Sequence, residues 1–304
     1  MTALTAGGSI WMDGRLVPWD AAQVHVLTQS LHYGWAVYEG IRVHETADGP
    51  AVFRLRDHLA RLTCSARVCL MDIPYAEEEL AAATVELVRA GGAGPRYVRP
   101  LVYLGYGSMG VALDLSEVRV AIAAWSWEEP PERVWRLVTS GWRRNHQDAI
   151  PPVAKTTGAY LNSCLAKLAA IRGGYDDAVL LTASGHVSEC SAANIFLVKS
   201  GVLHTPSVEQ GILPGITRAT VLDLARGAGI TVAERPVAHA ELYTADELFV
   251  TGTATGVVPV ESLDDRPTTA RGAGPVTTVL RDAYRQAAAG RHPAAADWLT
   301  PVGG

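Results

Sequence analysis

The stretch Pro151-Pro152-Val153-Ala154-Lys155-Thr156-Thr157-Gly158-Ala159-Tyr160 decides how the rest of the chain is read. It leads into a helical pattern from about Gly158 to Arg172, closed by Gly173-Gly174, so Lys155 stands at a helix mouth among small or apolar neighbours. The chain has 26 basic residues, and only three are lysines: Lys155, Lys167 and Lys199. Lys167 lies mid-helix beside polar positions and Lys199 in a hairpin turn next to Ser200-Gly201; both read as solvated surface charges. A solvated lysine stays protonated and inert, whereas a desolvated one adds to a carbonyl group. Lys155 is the candidate nucleophile, and an ordinary loop lysine is the alternative reading of the segment alone.

Upstream, Ser9 to Met12, the turn dipeptide Asp13-Gly14 and Leu16 to Trp19 read as an opening hairpin. Leu59, Leu62, Ala66, Cys69 and Leu70 recur at helical spacing after Asp57, and a second helix is expected from about Ala76 through Val88 to Gly91-Gly92. With β-rich runs at Tyr97 to Leu104 and Val118 to Trp127, this part reads β-β-α-α-β-β, an α+β arrangement. Glu128-Glu129-Pro130-Pro131-Glu132 is charged and Pro-doubled. The expected division is therefore a smaller N-terminal domain at 1–127, a linker at 128–133 and a larger C-terminal domain at 134–304. The larger part mixes strands at 134–139, 177–182, 194–198, 202–204, 231–237, 248–251 and 257–262 with helices at 216–226 and 275–289.

A net charge of −5 without a Lys/Arg cluster argues against nucleic acid or an anionic membrane surface, since counterion release needs a basic stripe. No apolar run approaches the ~20 residues that span a bilayer, and residues 1–20 lack the basic and apolar regions of a signal peptide. A cytoplasmic protein is expected. Cys64, Cys69, Cys164 and Cys190 show no CxxC spacing, so neither a disulfide nor a metal site is expected.

Two small-residue segments suit an anion. Leu213-Pro214-Gly215-Ile216-Thr217-Arg218 opens a helix whose N–H groups and Thr217 hydroxyl can hold a phosphate, although Pro-Gly before a capping Thr also starts many helices. Thr251-Gly252-Thr253-Ala254-Thr255-Gly256 is a second strand end that lets the backbone approach closely. Glu189 follows a turn between apolar strands; a buried carboxylate there needs a partner, either a protonated pyridine nitrogen or the amides near Ser191 and Asn194. Tyr160, five residues after Lys155, reads as a ligand neighbour or as a core tyrosine.

Several segments together carry a resemblance. They are Val24-His25-Val26, Leu31-His32-Tyr33-Gly34, Val37-Tyr38-Glu39-Gly40-Ile41-Arg42, Tyr97-Val98-Arg99-Pro100-Leu101, the Lys155 segment, Ser188-Glu189, Leu213 to Thr217 and Gly252-Thr253-Ala254. In order and spacing they resemble the fold type IV pyridoxal-phosphate-dependent aminotransferases, two-domain α+β enzymes of the D-amino-acid aminotransferase type. Tyr97-x-Arg99, the Gly-Ile-Arg ending at Arg42, and Met109-Gly110-Val111 resemble the branched-chain amino-acid branch.

The resemblance implies pyridoxal 5′-phosphate carried on Lys155, with Glu189 at its ring nitrogen and Tyr160 at its phenolic oxygen. It places Arg61, Ile216, Thr217 and Thr253 around the phosphate. Arg99 would take the side-chain carboxylate of glutamate or 2-oxoglutarate, and Tyr97 with the backbone at Thr253 and Ala254 the α-carboxylate. Tyr38, Trp127 and Tyr160 would line an apolar pocket, while Tyr33 and Val111 would serve the neighbouring subunit of a homodimer or higher homo-oligomer. The implied reaction moves an amino group from a branched-chain or other apolar L-amino acid to 2-oxoglutarate through the pyridoxamine form. The alternatives on the same scaffold are a lyase of the aminodeoxychorismate type and a D-amino-acid or amine transaminase. The chain departs from the family where Ala192-Ala193 replaces the usual Gly-Glu before Asn194, where Tyr38 replaces a phenylalanine, where Gly256 stands for a common Glu, and where the Gly-Ala-Tyr stretch after Trp127 is missing.

Overall fold

The computed structural model describes residues 7–92, 94–112, 116–128 and 132–303. The chain packs into two compact units. The first comprises residues 1–129, 154–158 and 287–304, and the second residues 130–153 and 159–286. The sequence division at 128–133 keeps Lys155 with the C-terminal part, whereas the packing counts residues 154–158 with the first unit; residues 129–131 of the expected linker lie outside the described residues.

The first unit is built on strands β1 (Ser9–Met12), β2 (Arg15–Pro18), β3 (Ala36–Tyr38), β4 (Ile41–Thr46), β5 (Gly49–Phe53), β6 (Arg96–Leu104) and β7 (Val118–Ser126). The opening hairpin forms as expected, with Asp13 (φ 47°) and Gly14 (φ 89°) both in the left-handed region that its turn demands. The simple β-β-α-α-β-β reading needs correction, because it lacks β3, β4 and β5, which pair antiparallel around β6 and with each other. β3 and β5 are only three and five residues long and Glu39-Gly40 interrupts the run; the Ile41-Arg42-Val43-His44 alternation of β4 is present, although the structure buries all four residues. A C-terminal strand, Leu299–Pro301, completes this sheet on the β5 edge. Helices α1 (Gln29–Tyr33), α2 (Leu55–Val68) and α3 (Glu77–Ala90) accompany it. Leu55, Leu59, Leu62 and Ala66 share one buried stripe of α2, packed in a cluster with Val37, Ile41, Val98 and Ile122.

The second unit holds β8 (Trp135–Arg143), β9 (Asp177–Leu181), β10 (Val187–Cys190), β11 (Asn194–Lys199), β12 (Val202–Pro206), β13 (Val232–Arg235), β14 (Glu247–Gly252), β15 (Gly256–Leu263) and the short β16 (Arg266–Pro267). Their order is β10-β9-β8-β15-β14-β11-β12-β13, with β16 on β15. The β8–β9, β8–β15 and β12–β13 pairs are parallel and the others antiparallel, so the sheet is mixed. Helices α4 (Tyr160–Arg172), α5 (Ile216–Gly227), α6 (His239–Tyr243) and α7, which starts at Pro275, complete the order. Phe196 and Phe249 stack at 4.8 Å between β11 and β14 in the interior. At the start of α7 the buried Glu247 carboxylate accepts from Val276 N–H, Thr277 N–H and the Thr277 hydroxyl, capping an end whose N–H groups would otherwise be buried without acceptors.

His44, on β4, is buried with its ring edge-on to Phe53. Burial, with a smaller push from the Arg42 guanidinium, lowers its imidazole to about 3. The unfolded chain takes up this proton near pH 6.5 and the folded chain only near 3, so stability falls as pH drops through that window. His44 alone is expected to remove about 2 kcal/mol of unfolding free energy at pH 5 relative to pH 8. Urea unfolding at the two pH values checks this, and His44→Gln should flatten the difference.

Candidate active site

Within the first unit, Lys155 is fixed through its backbone. Its N–H donates to the Ser65 hydroxyl on α2 at 3.0 Å, and its carbonyl accepts from Tyr38 N–H at 3.1 Å. The next residues extend the seam through a Val37–Thr156 bridge, Thr157 N–H to the Ala36 carbonyl, and Gly158 N–H to the Gly34 carbonyl. The two glycines approach so closely that a Cβ on Gly34 would stand 2.9 Å from Gly158 Cα. The Lys155 ammonium lies 5.0 Å from the centre of the Tyr38 ring.

The same Tyr38 ring carries a second cation. The Arg99 guanidinium lies 4.6 Å from the Tyr38 ring centre, 5.5 Å from that of Tyr97 and 6.0 Å from that of Trp125. Strand register explains the grouping: Tyr97 and Arg99 share one face of β6, and Trp125 is the cross-strand partner of Tyr97. Trp127 continues the face, 4.9 Å from Tyr97 and beneath the buried Arg42 guanidinium at 5.9 Å. Among the described residues no carboxylate pairs with Arg99, and its Nε and the Trp127 indole N–H are buried without an acceptor. A guanidinium stacked on rings with its Nε donor unpaired is suited to a substrate carboxylate.

Arg61, expected at a phosphate, projects from α2 into a buried ion cluster. Its Nε and Nη2 donate to the two oxygens of Glu39 at 2.7 and 2.8 Å, and His58 Nδ1 donates to the same carboxylate at 2.7 Å. Burial would raise the Glu39 carboxyl, but Arg61 and His58 outweigh it and hold the group well below the usual carboxylate range. Burial drives the His58 imidazole down, against the pull of Glu39.

Within the second unit, Glu189 lies on β10 at an irregularity of register with β9 and is buried. Its Oε1 meets Arg144 Nη2 at 2.8 Å, and its Oε2 accepts from Asn194 Nδ2 at 3.0 Å and Leu213 N–H at 3.1 Å. Arg144 is itself set by its N–H to the Leu181 carbonyl and its Nε to the Gly211 carbonyl. Asn194 thus supplies the amide partner, and the carboxylate is oriented by donors from Arg144, Asn194 and the Leu213 backbone. Ala193, where the family usually has a carboxylate, is buried in an apolar cluster with Val187, Cys190 and Ile195.

Ile216 and Thr217 form the first turn of α5, both buried, behind an extended Gly215 that offers no side-chain cap. Such an end presents N–H donors and a positive dipole, a fit for a phosphate. Thr253 and Ala254 sit half-buried in the turn between β14 and β15, and Tyr160 begins α4, also half-buried. Tyr33 and Val111 are exposed on the first unit, where Gly110 N–H donates to the Tyr33 hydroxyl. Sequence reasoning missed Glu39, His58, Trp125 and Arg144. The i, i+3 placement of His58 and Arg61 on a helix was the available signal for the cluster, whereas nothing in sequence spacing pointed to Arg144.

An anchored lysine and a ring-stacked arginine in the first unit, with a carboxylate held by an arginine and an anion-ready helix end in the second, are the kinds of group that a phosphorylated aromatic aldehyde and an amino acid require. The amino-transferase class IV family profile matches residues 36–263, and the chain belongs to that family. It is 43% identical to the branched-chain-amino-acid aminotransferase of Pseudomonas aeruginosa over 99% of this chain and 100% of that one. The crystal structure of the T.th. branched-chain amino acid aminotransferase complexed with N-(5′-phosphopyridoxyl)-L-glutamate matches at a TM-score of 0.96 and 43% identity, covering 99% and 100% of the two chains. One from the archaeon Thermoproteus uzoniensis with norvaline matches at 0.94 and 42%, covering 98% and 100%.

A Cβ on Gly215 would fall on the Asn194 amide oxygen. Gly215→Ala should therefore dislodge Asn194 from Glu189 and cost about 1–3 kcal/mol of stability, read as a lowered thermal midpoint. An unchanged midpoint would show that the loop yields freely.

Proposed function

We propose that the chain is a pyridoxal 5′-phosphate-dependent aminotransferase that moves the amino group of a branched-chain or other apolar L-amino acid to 2-oxoglutarate. The carrying observation is Arg99, stacked on Tyr38, Tyr97 and Trp125 without a carboxylate partner among the described residues, in the same unit as Lys155. A site with aromatic walls and one guanidinium lacking a counter-ion accepts an apolar side chain in one half of a cycle and a carboxylate in the other.

Bound pyridoxal phosphate supplies an aldehyde that takes up the amino group and a ring that accepts the electron pair released at the substrate Cα. The residues divide the remaining work. Lys155 would hold the cofactor through Nζ and would carry the proton removed from and returned to the substrate Cα. Glu189, oriented by Arg144, Asn194 and Leu213 N–H, would hold a proton at the ring nitrogen. Tyr160 donates to the phenolic oxygen. Ile216, Thr217, Thr253 and Arg61 bind the phosphate, Tyr97 with the backbone at Thr253 and Ala254 takes the α-carboxylate, and Tyr38 and Trp127 wall the apolar side. The family match over residues 36–263 and the ligands named for the similar crystal structures support these roles.

The working unit is proposed as a homodimer or higher homo-oligomer, in which Tyr33 and Val111 complete a neighbouring site. Their exposure, alongside exposed Leu31, Tyr106 and Met109, supports this. No described helix is long and apolar enough to cross a membrane. A cytoplasmic location is proposed on the composition.

Purified enzyme should carry a visible cofactor band that glutamate bleaches and a branched 2-oxo acid restores; release of pyruvate without bleaching would indicate the lyase. Lys155→Ala should abolish transamination. Arg99→Gln should raise KM for glutamate by about 100-fold while shifting that for leucine by less than about tenfold, measured in separate half-reactions.

A further inference from the structure

The ion cluster around Arg61 has more parts than phosphate binding alone requires. Glu39 is fully buried at the β3–β4 junction, and its backbone N–H is tied to the Pro100 carbonyl on β6 at 2.9 Å. Its carboxylate receives Arg61 side-on through Nε and Nη2, and His58, one helical turn before Arg61 on α2, donates to Oε2. Side-on pairing fixes the guanidinium plane and turns the Nη1 edge away from Glu39. Leaving a carboxylate in a dry interior is costly, so a cluster of this kind is weak support for stability and is better explained by what it orients.

We propose that Glu39 and His58 are positioning residues for the cofactor phosphate: Glu39 locks the Arg61 guanidinium so that its Nη1 edge meets the phosphate, and His58 holds the Glu39 carboxylate in that pose. This rests on the reading of Arg61 as a phosphate ligand. An arginine free to swing on its long side chain loses rotamer entropy each time it binds, whereas one already clamped does not, so the clamp acts on phosphate affinity. A glutamine at position 39 can accept at only one oxygen and sets its own NH2 against the Arg61 or His58 donors, so the side-on pair is lost.

The test compares apoenzyme affinity for pyridoxal 5′-phosphate with that for pyridoxal, which lacks the phosphate, by spectroscopic titration at neutral pH. Glu39→Gln is expected to weaken pyridoxal phosphate binding about tenfold and pyridoxal binding less than about twofold. His58→Gln, which keeps the Glu39–Arg61 pair, should show the same selectivity with a loss of about threefold, and it serves if Glu39→Gln does not fold. The double variant Glu39→Gln/Arg61→Gln should bind no more weakly than Arg61→Gln, because Glu39 acts through Arg61. Equal losses for both ligands would assign Glu39 a merely structural part, and unchanged or tighter pyridoxal phosphate binding would also overturn the proposal. If Arg61→Gln itself leaves pyridoxal phosphate affinity unchanged, the assignment of Arg61 to the phosphate fails and the proposal falls with it. Loss in Arg61→Gln without loss in the Glu39 and His58 variants removes the clamp alone.

Discussion

The backbone clamp on Lys155 is the constraint on which the first unit's chemistry depends. Two hydrogen bonds, from Lys155 N–H to Ser65 and from Tyr38 N–H to the Lys155 carbonyl, attach a five-residue piece of chain to the sheet and helix of that unit. The piece is flanked in sequence by residues of the other unit. A flexible lysine has a large conformational freedom to lose before it can react, and holding its backbone at both polar groups removes part of that freedom beforehand. The clamp also brings Lys155 to the ring that carries Arg99, so the proposed nucleophile and the proposed substrate-selecting cation share one side chain, Tyr38.

The electrostatic logic of the two units is complementary in kind. Each has a buried carboxylate held by an arginine and a second donor: Glu39 by Arg61 and His58, Glu189 by Arg144 and Asn194. The roles of the partners are reversed. In the proposed roles, the Glu189 carboxylate acts and Arg144 orients it, whereas at Glu39 the arginine acts and the carboxylate keeps it still. In both cases the buried carboxylate oxygens have donors at hydrogen-bonding distance, which offsets the cost of burying them.

Much of this was legible along the chain, because local signals carry local features. Asp13-Gly14 forms its turn from residue identity alone, the α2 stripe follows from spacing, and the Gly215 to Thr217 helix start is read from its Pro-Gly. Lys155 stood out because its neighbours are small and apolar. What stayed hidden depends on pairing over distance. Strand β3 is too short to show a period, and β3 and β4 are fixed by pairing with β6, which lies more than fifty residues on, while β5 is fixed by β4 and the C-terminal strand. Glu39 reads as one charge in an apolar motif until α2 brings up His58 and Arg61, and Arg144 is one arginine among many until the strand irregularity at β10 turns Glu189 toward it. The departure at Ala193 is explained by packing, since its methyl group fills part of an apolar core where a charge would need a counter-charge.

On the proposed role of Arg99, its aromatic seat bears on how one site would handle two unlike partners in alternation. A cation that waits without a counter-ion would ordinarily draw in water or swing toward another charge, and either must be undone before the next substrate arrives. The π faces of Tyr38, Tyr97 and Trp125 act as a permanent, weak counter-ion that no substrate has to displace. Switching between an apolar and an anionic guest then demands little reorganisation of the wall, and the toll of ambidexterity is met by three rings laid down when the sheet folds.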